Sequence, residues 1–276
     1  HAYRQIRTQI RTLQITTDEP WLPWELIRPY DDDDPDNVID DDFLCMQFDL
    51  TRWLAGRSSG MAEIKVEKLA CIAAGQVNGM PLLPYVQAER DYLADLARSY
   101  PSIVDASPAE ATRDALDVLM VSASVSLWHF ATHGGQDPHH PEESHIQLEG
   151  GQSFRVEDLH GRLQGLLGRP RPFVFLNACR VGQLGWSLTQ LGGWASAFVH
   201  RCHCGSFVGP LWAVQDKQAY ELAIAFYEGL RANRTTSAAM RAARLAVRNR
   251  DPSSPTWLAY SLYSHPNARV RFGNSL

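Results

Sequence analysis

Only five cysteines occur in 276 residues, at positions 45, 71, 179, 202 and 204. An odd number, scattered through a chain too long to need staples, excludes a disulfide framework and points to a reducing cytoplasm. No apolar run approaches the ~20 residues that cross a bilayer, so no membrane partner is expected. Cationic excess is missing too. With 26 Lys and Arg against 31 Asp and Glu, the net charge is -5, which argues against a nucleic-acid partner. Phosphate-binding loops are absent: "GGQDPHH" and "GLLGRPR" lack the G-x-G-x-x-G and G-K-[ST] spacings. There is no repeat of fixed period. The chain opens on histidine and so reads as processed or excised, and its lack of a leader carries no information.

What is present is ordinary for a globular protein with a sizeable core, 45% apolar and 21% charged. The negative charge is concentrated in Asp31 to Asp34, Asp36 and Asp40 to Asp42. That run reads as a solvated loop, because it lacks the ligand spacing and closing glutamate of a calcium loop. "TLQITT" (12 to 17) reads as a strand, and "FLCMQFDLTRWLAG" as strand-like sequence up to Gly56. Residues 57 to 63 form a small, polar linker.

From there strand and helix alternate. Strands are expected at 66 to 76, 102 to 106, 126 to 135, 172 to 179, 206 to 214 and 256 to 264, with a hairpin around Gly150 and Gly151. Helices are expected at 87 to 100, from Ser107-Pro108 to Val121, at 186 to 202, along the stripe from Ala219 to Leu230, and from Thr236 to Arg248. Strands apolar on both faces imply an α/β three-layer sandwich with a mostly parallel central sheet. Such sheets hold their sites beyond the carboxyl ends of the strands.

Two expected strands end in reactive residues. "LWHFATHGG" delivers His133 just before Gly134 and Gly135, and "FVFLNAC" delivers Cys179, 46 residues later. Taken alone, a cysteine ending an apolar run is most simply a buried thiol. A histidine on a neighbouring strand end changes that, because imidazole can take the thiol proton and leave a thiolate to attack a carbonyl carbon. The N–H groups of Gly134 and Cys179 are candidate donors to the resulting oxyanion.

A strand ending in His-Gly, followed by an apolar strand ending in Ala-Cys, resembles the caspase-type signature. This chain has Asn177 where that signature carries glutamine, and its glycine falls one position late at Gly182. Those departures resemble the CHAT branch, caspase-like domains often joined to tetratricopeptide repeats and related to separase. "LPWEL" (22 to 26), "LPYVQAERDYLADL" and "VGPLWAVQDKQAYELAIAFYEGL" are similar to further elements of that branch, so the resemblance runs from about residue 13 to the end.

The resemblance implies a caspase–hemoglobinase-like fold over 1–276, with 1–60 an N-terminal segment packed on a catalytic core at 61–276. It implies a cysteine endopeptidase with His133 as base, Cys179 as nucleophile, Gly134 as oxyanion donor and a thioester intermediate, without cofactor or metal. Expected partners are a protein substrate and an activating sensor domain or partner, of which a tetratricopeptide-repeat domain is one candidate, as in bacterial defence modules. A catalytically silent scaffold and acyl transfer on the same dyad are the alternatives. Asp216 reads either as the N-cap of the helix it precedes or, by resemblance to separase, as a carboxylate in a pocket for a basic residue before the scissile bond. Trp212 reads as a wall of that pocket or as core. His139, His140 and His145 with Cys202, His203 and Cys204 invite a zinc reading, but the Cys-His-Cys spacing is too tight for paired ligands. Trp24 and Glu25 read as packing and capping that fasten the N-terminal segment, and Cys45 and Cys71 as inert thiols within strands.

Overall fold

Three long apolar runs at the centre of the chain become adjacent parallel strands, and everything else is arranged around them. The computed structural model describes residues 2–273 apart from 20–21, 57–58, 78, 123, 136–143, 162–163, 166, 168 and 180–189. In chain order the strands are β1 (Thr12–Thr17), β2 (Tyr30–Asp31), β3 (Ile39–Asp40), β4 (Asp49–Leu54), β5 (Glu63–Val66), β6 (Lys68–Ala74) and β7 (Val104–Asp105). They continue as β8 (Leu127–Gly135), β9 (His145–Gln147), β10 (Ser153–Arg155), β11 (Phe173–Cys179), β12 (Ser206–Pro210), β13 (Tyr260–Tyr263) and β14 (Arg269–Phe272). The helices are α1 (Ala2–Ile6), α2 (Leu44–Gln47), α3 (Tyr85–Arg98), α4 (Arg113–Val121), α5 (Gln190–Ala195), α6 (Asp216–Arg231) and α7 (Thr236–Arg250).

The main sheet runs β1-β4-β13-β12-β11-β8-β6-β7. Its neighbours pair in parallel except at β12 and β13, where the direction reverses. Side-chain alternation separates the two covering layers. On β8, His129 faces Glu89 of α3 and Tyr227 of α6, whereas Phe130 points the other way, onto Phe198 in the π-helical turn that follows α5. Helices therefore flank both faces of a mostly parallel sheet. The β9–β10 hairpin extends the tip of β8, pairing Gly134 with Ile146 and Gly135 with His145.

Local chemistry explains where the elements depart from the sequence reading. The fourth helix begins at Arg113, capped by the Thr112 hydroxyl, which accepts from the N–H of Ala115. Ser107 does not open a helix, because its hydroxyl accepts the N–H of Cys71 across a loop. "FLCMQF" forms the single-turn α2 before β4, so Cys45 lies in a helix and not a strand. β14, absent from the sequence reading, pairs in parallel with β5. Thr235 caps α7 through the N–H of Ala238.

The acidic run is not simply a solvated loop. Asp31 and Asp41 pair with Arg4 and Arg7, Asp40 with Arg28 and Asp42 with Arg248, which draws α1, the β2–β3 hairpin and α7 together. Deeper in, Glu25 is buried beside the equally buried Arg52 of β4, 3.5 Å between Oε2 and Nη1. The Ser261 hydroxyl donates to Glu25 Oε1 at 2.5 Å, so the Pro-Trp-Glu segment is fastened to β4 and β13 from beneath.

Candidate active site

The ladder between β8 and β11 pairs seven residues in parallel and ends with Cys179 opposite His133. Both stand at the carboxyl ends of central strands. Because side chains alternate, His129, Ala131 and His133 share one face with Phe175 and Asn177, the face covered by α3 and α6.

His133 is 2% exposed, and its Nε2 lies 2.8 Å from the carbonyl oxygen of Pro81. A carbonyl only accepts, so Nε2 carries the proton and Nδ1 is the basic nitrogen of the neutral ring. Burial holds this imidazole below its ordinary value, an effect that the Pro81 carbonyl opposes. The ring is therefore neutral at neutral pH and able to accept a proton. Gly134 is in close contact with the neighbouring strand, since a side chain there would bring its Cβ to 3.3 Å from that of Ala178. At Gly135 a Cβ would stand 2.3 Å from the His145 ring. A side chain at Gly135 would push the His145 ring aside, and one at Gly134 would press on Ala178.

Asp216 is the first residue of α6, one position inside the N-cap Gln215. Its carboxylate does not cap α6. Oδ2 accepts the N–H of Tyr85 at 3.0 Å, the first residue of α3, so it caps the neighbouring helix. Half-burial pushes the Asp216 carboxyl up, the Tyr85 N–H opposes this, and the charge of Glu89 adds to it. Trp212 follows β12 and is 7% exposed, packed within the core.

A CHAT domain family model matches residues 4–269. The chain belongs to the CHAT domain family. Among solved structures, the CHAT chain is similar to the Arg-specific cysteine proteinase gingipain R, with a TM-score of 0.52 and 13% identity over 98% of this chain and 68% of that one. The complex of Porphyromonas gingivalis RgpB pro- and mature domains aligns with a TM-score of 0.54 and 9% identity, covering 96% of this chain and 67% of that one. The Saccharomyces cerevisiae separase–securin complex gives 0.50 and 14% identity, over 95% of this chain but only 16% of the matched one. At these identities the likeness is one of fold, that of caspase-like cysteine proteases. No curated protein matches the CHAT chain in sequence.

The remaining thiols of the CHAT domain are protonated by their surroundings. Burial pushes Cys45 up to about 11 and Cys202 to about 12, and Cys71 and Cys204 well above their ordinary value. Of the zinc candidates, His139 and His140 lie outside the described residues. His145 sits on β9 under Gly135, and Cys202 and Cys204 are buried in the turn leading to β12. Among the described residues no three His, Cys, Asp or Glu side chains gather as metal ligands. Also among them, no helix is long and apolar enough to cross a membrane.

Sequence reasoning missed Pro81, whose carbonyl orients His133, and Glu89, His129, Tyr227 and Tyr260, which form a polar cluster beneath the strand tips. One signal for the cluster was available. Glu89 falls on the buried stripe of α3 between Val86 and Leu93, where an unpartnered carboxylate would be costly.

Proposed function

We propose that this CHAT domain is a cysteine endopeptidase working through Cys179 and His133. The observation that carries the reading is the terminal register of the β8–β11 ladder, Cys179 opposite His133, with the Nε2 of His133 turned to the Pro81 carbonyl. The neutral ring takes the Cys179 proton at Nδ1, and the thiolate attacks the carbonyl carbon of a peptide bond. Backbone N–H groups of Gly134 and Cys179 receive the oxyanion. On collapse the proton passes from His133 to the leaving amine, giving a thioester that water hydrolyses with His133 again as base.

Asp216, raised by burial and by Glu89, is the carboxylate of the pocket for the residue before the scissile bond, with Trp212 as its wall. A basic residue there would make a charge-assisted contact. The charge of Glu89 reaches Asp216 and adds to the rise of its carboxyl, so two acidic side chains lie near one another on this side of the sheet. The domain acts on a protein substrate as the effector module of a cytoplasmic, sensor-activated system, as in bacterial defence. That last step rests on the family alone.

The test is mass spectrometry after exposure to peptide chloromethyl ketones that differ at the residue before the warhead. The reading expects one adduct, on Cys179, absent in Cys179→Ala and slowed in His133→Ala. Labelling spread equally over all cysteines would refute it.

A further inference from the structure

The polar cluster under the strand tips has a single hub. Glu89, 2% exposed on α3, accepts from Asn177 Nδ2 at 2.8 Å on Oε1 and 2.9 Å on Oε2, and its Oε2 lies 2.5 Å from His129 Nε2. One carboxylate thus spans β8 and β11. The outer members close the set: the Tyr227 hydroxyl is 3.0 Å from His129 Nδ1, and the Tyr260 hydroxyl donates to Asn177 Oδ1 at 2.6 Å. Burial pushes the Tyr227 phenol well above its ordinary value, with Cys71 and Glu89 adding to the effect, so its hydroxyl keeps its proton. His129 thus bridges α3 and α6, with Nε2 on Glu89 and Nδ1 on the Tyr227 hydroxyl.

The cluster lies on the same face as His133, below the ends of β8 and β11. Asn177 is one pleat repeat, about 7 Å, before Cys179, and His129 is two repeats before His133. Glu89 also fixes α3. The loop into α3 supplies the Pro81 carbonyl to His133, and the first N–H of α3, that of Tyr85, goes to Asp216. One carboxylate therefore ties together the strand of the base, the strand of the nucleophile and the helix whose entry orients the imidazole. A charged group at a sheet–helix interface is a poor source of stability compared with an apolar residue of the same size. Its value lies in geometry, because a misplacement of about 1 Å in such a site costs on the order of a hundredfold in rate.

We propose that Glu89 is a positioning residue for Cys179 and His133, acting through Asn177 and His129 to hold the two strand tips and α3 in fixed relation. The inference builds on the endopeptidase reading but can fail separately from it. The test compares the whole chain with Glu89→Ala, Glu89→Gln and Cys179→Ala. It follows alkylation of Cys179 by iodoacetamide, resolved by peptide mass spectrometry, and hydrolysis of the best peptide substrate. Glu89→Ala is expected to slow alkylation and lower kcat at least about tenfold with KM within about twofold, since reactivity and not binding is disturbed. Glu89→Gln keeps the size and one acceptor and should recover most of that loss. Should Glu89→Ala not fold, Tyr260→Phe removes a single donor from the same cluster and should slow alkylation in the same sense. A folded Glu89→Ala that is alkylated at the wild-type rate overturns the proposal and leaves the endopeptidase reading intact. Slowed alkylation in a chain whose wild type cleaves no peptide keeps the positioning role and removes the endopeptidase reading. If wild-type Cys179 reacts no faster than a free thiol, the dyad is not assembled and both fall.

Discussion

The Nε2 of His133 rests 2.8 Å from the carbonyl oxygen of Pro81, in the segment that enters α3. That one contact fixes the tautomer of the buried ring and joins the strand tip to the helix layer above it. The same burial makes stability depend on pH. An unfolded histidine titrates near ~6.5, and burial holds the folded ring below that value. Between the two, the unfolded chain binds the proton and the folded chain does not, so stability rises with pH across this window. The contribution is complete above about pH 6.5 and is lost as pH falls through the window. Urea midpoints measured from pH 7.5 to pH 5 should show this acid limb, and His133→Gln should flatten it. Parallel limbs in the two proteins would exclude His133 as the group responsible.

The strand tips were legible in the sequence, and the contacts that orient them were not. Apolar runs of seven to nine residues, rich in aromatic and β-branched side chains and ending in His-Gly and Ala-Cys, announce central parallel strands, because they are too short for a buried helix. Glu89 meets His129 and Asn177 across 40 and 88 residues, and no local pattern encodes such pairings. The acidic run misled for the same reason. Asp32 to Asp34 and Asp36 are exposed as read, but Asp31, Asp41 and Asp42 are paired with Arg4, Arg7 and Arg248, distant in the chain. Ser107-Pro108 misled locally: Ser107 resembles a helix cap, yet its hydroxyl serves the N–H of Cys71.

Asp216 separates two roles that one substitution can resolve. Asp216→Asn keeps an oxygen for the Tyr85 N–H and removes a carboxylate whose ionisation burial already disfavours. Folding stability at pH 7 should therefore change by no more than about 0.5–1 kcal/mol, the scale of one neutral hydrogen bond. If Asp216 also faces the residue before the scissile bond, the preference for basic peptide ketones over neutral ones should fall at least about tenfold with the loss of a charge-assisted contact. An unchanged preference would leave Asp216 as a cap of α3 and nothing more.

Glu25 and Arg52 are both almost fully buried, so removing one partner strands a charge in the interior. Glu25→Ala should cost about 3–5 kcal/mol. Replacing both, as Glu25→Leu with Arg52→Met, should restore most of that loss, because well-packed apolar residues often match a buried pair. Chemical denaturation of the three proteins decides the matter. A double variant as unstable as Glu25→Ala would mean that the segment is held by the hydrogen bonds to Ser261 and the Glu19 carbonyl instead.

Gly229 sets two effects of opposite sign against each other. It lies inside α6, where exchange for alanine would ordinarily stabilise the helix by about 1 kcal/mol. Yet a Cβ at this position would stand 2.8 Å from the Cβ and 3.0 Å from the Cα of Ala239 on α7. The nearer atoms belong to a short side chain and to backbone, so the helices themselves must part, and overpacking of this kind costs about 1–3 kcal/mol. The packing penalty should win, and Gly229→Ala should lower the melting temperature. Adding Ala239→Gly reopens the space but gives up helix propensity in α7, so the double variant should recover only part of the loss. A Gly229→Ala protein more stable than the wild type would mean that α6 and α7 separate without cost.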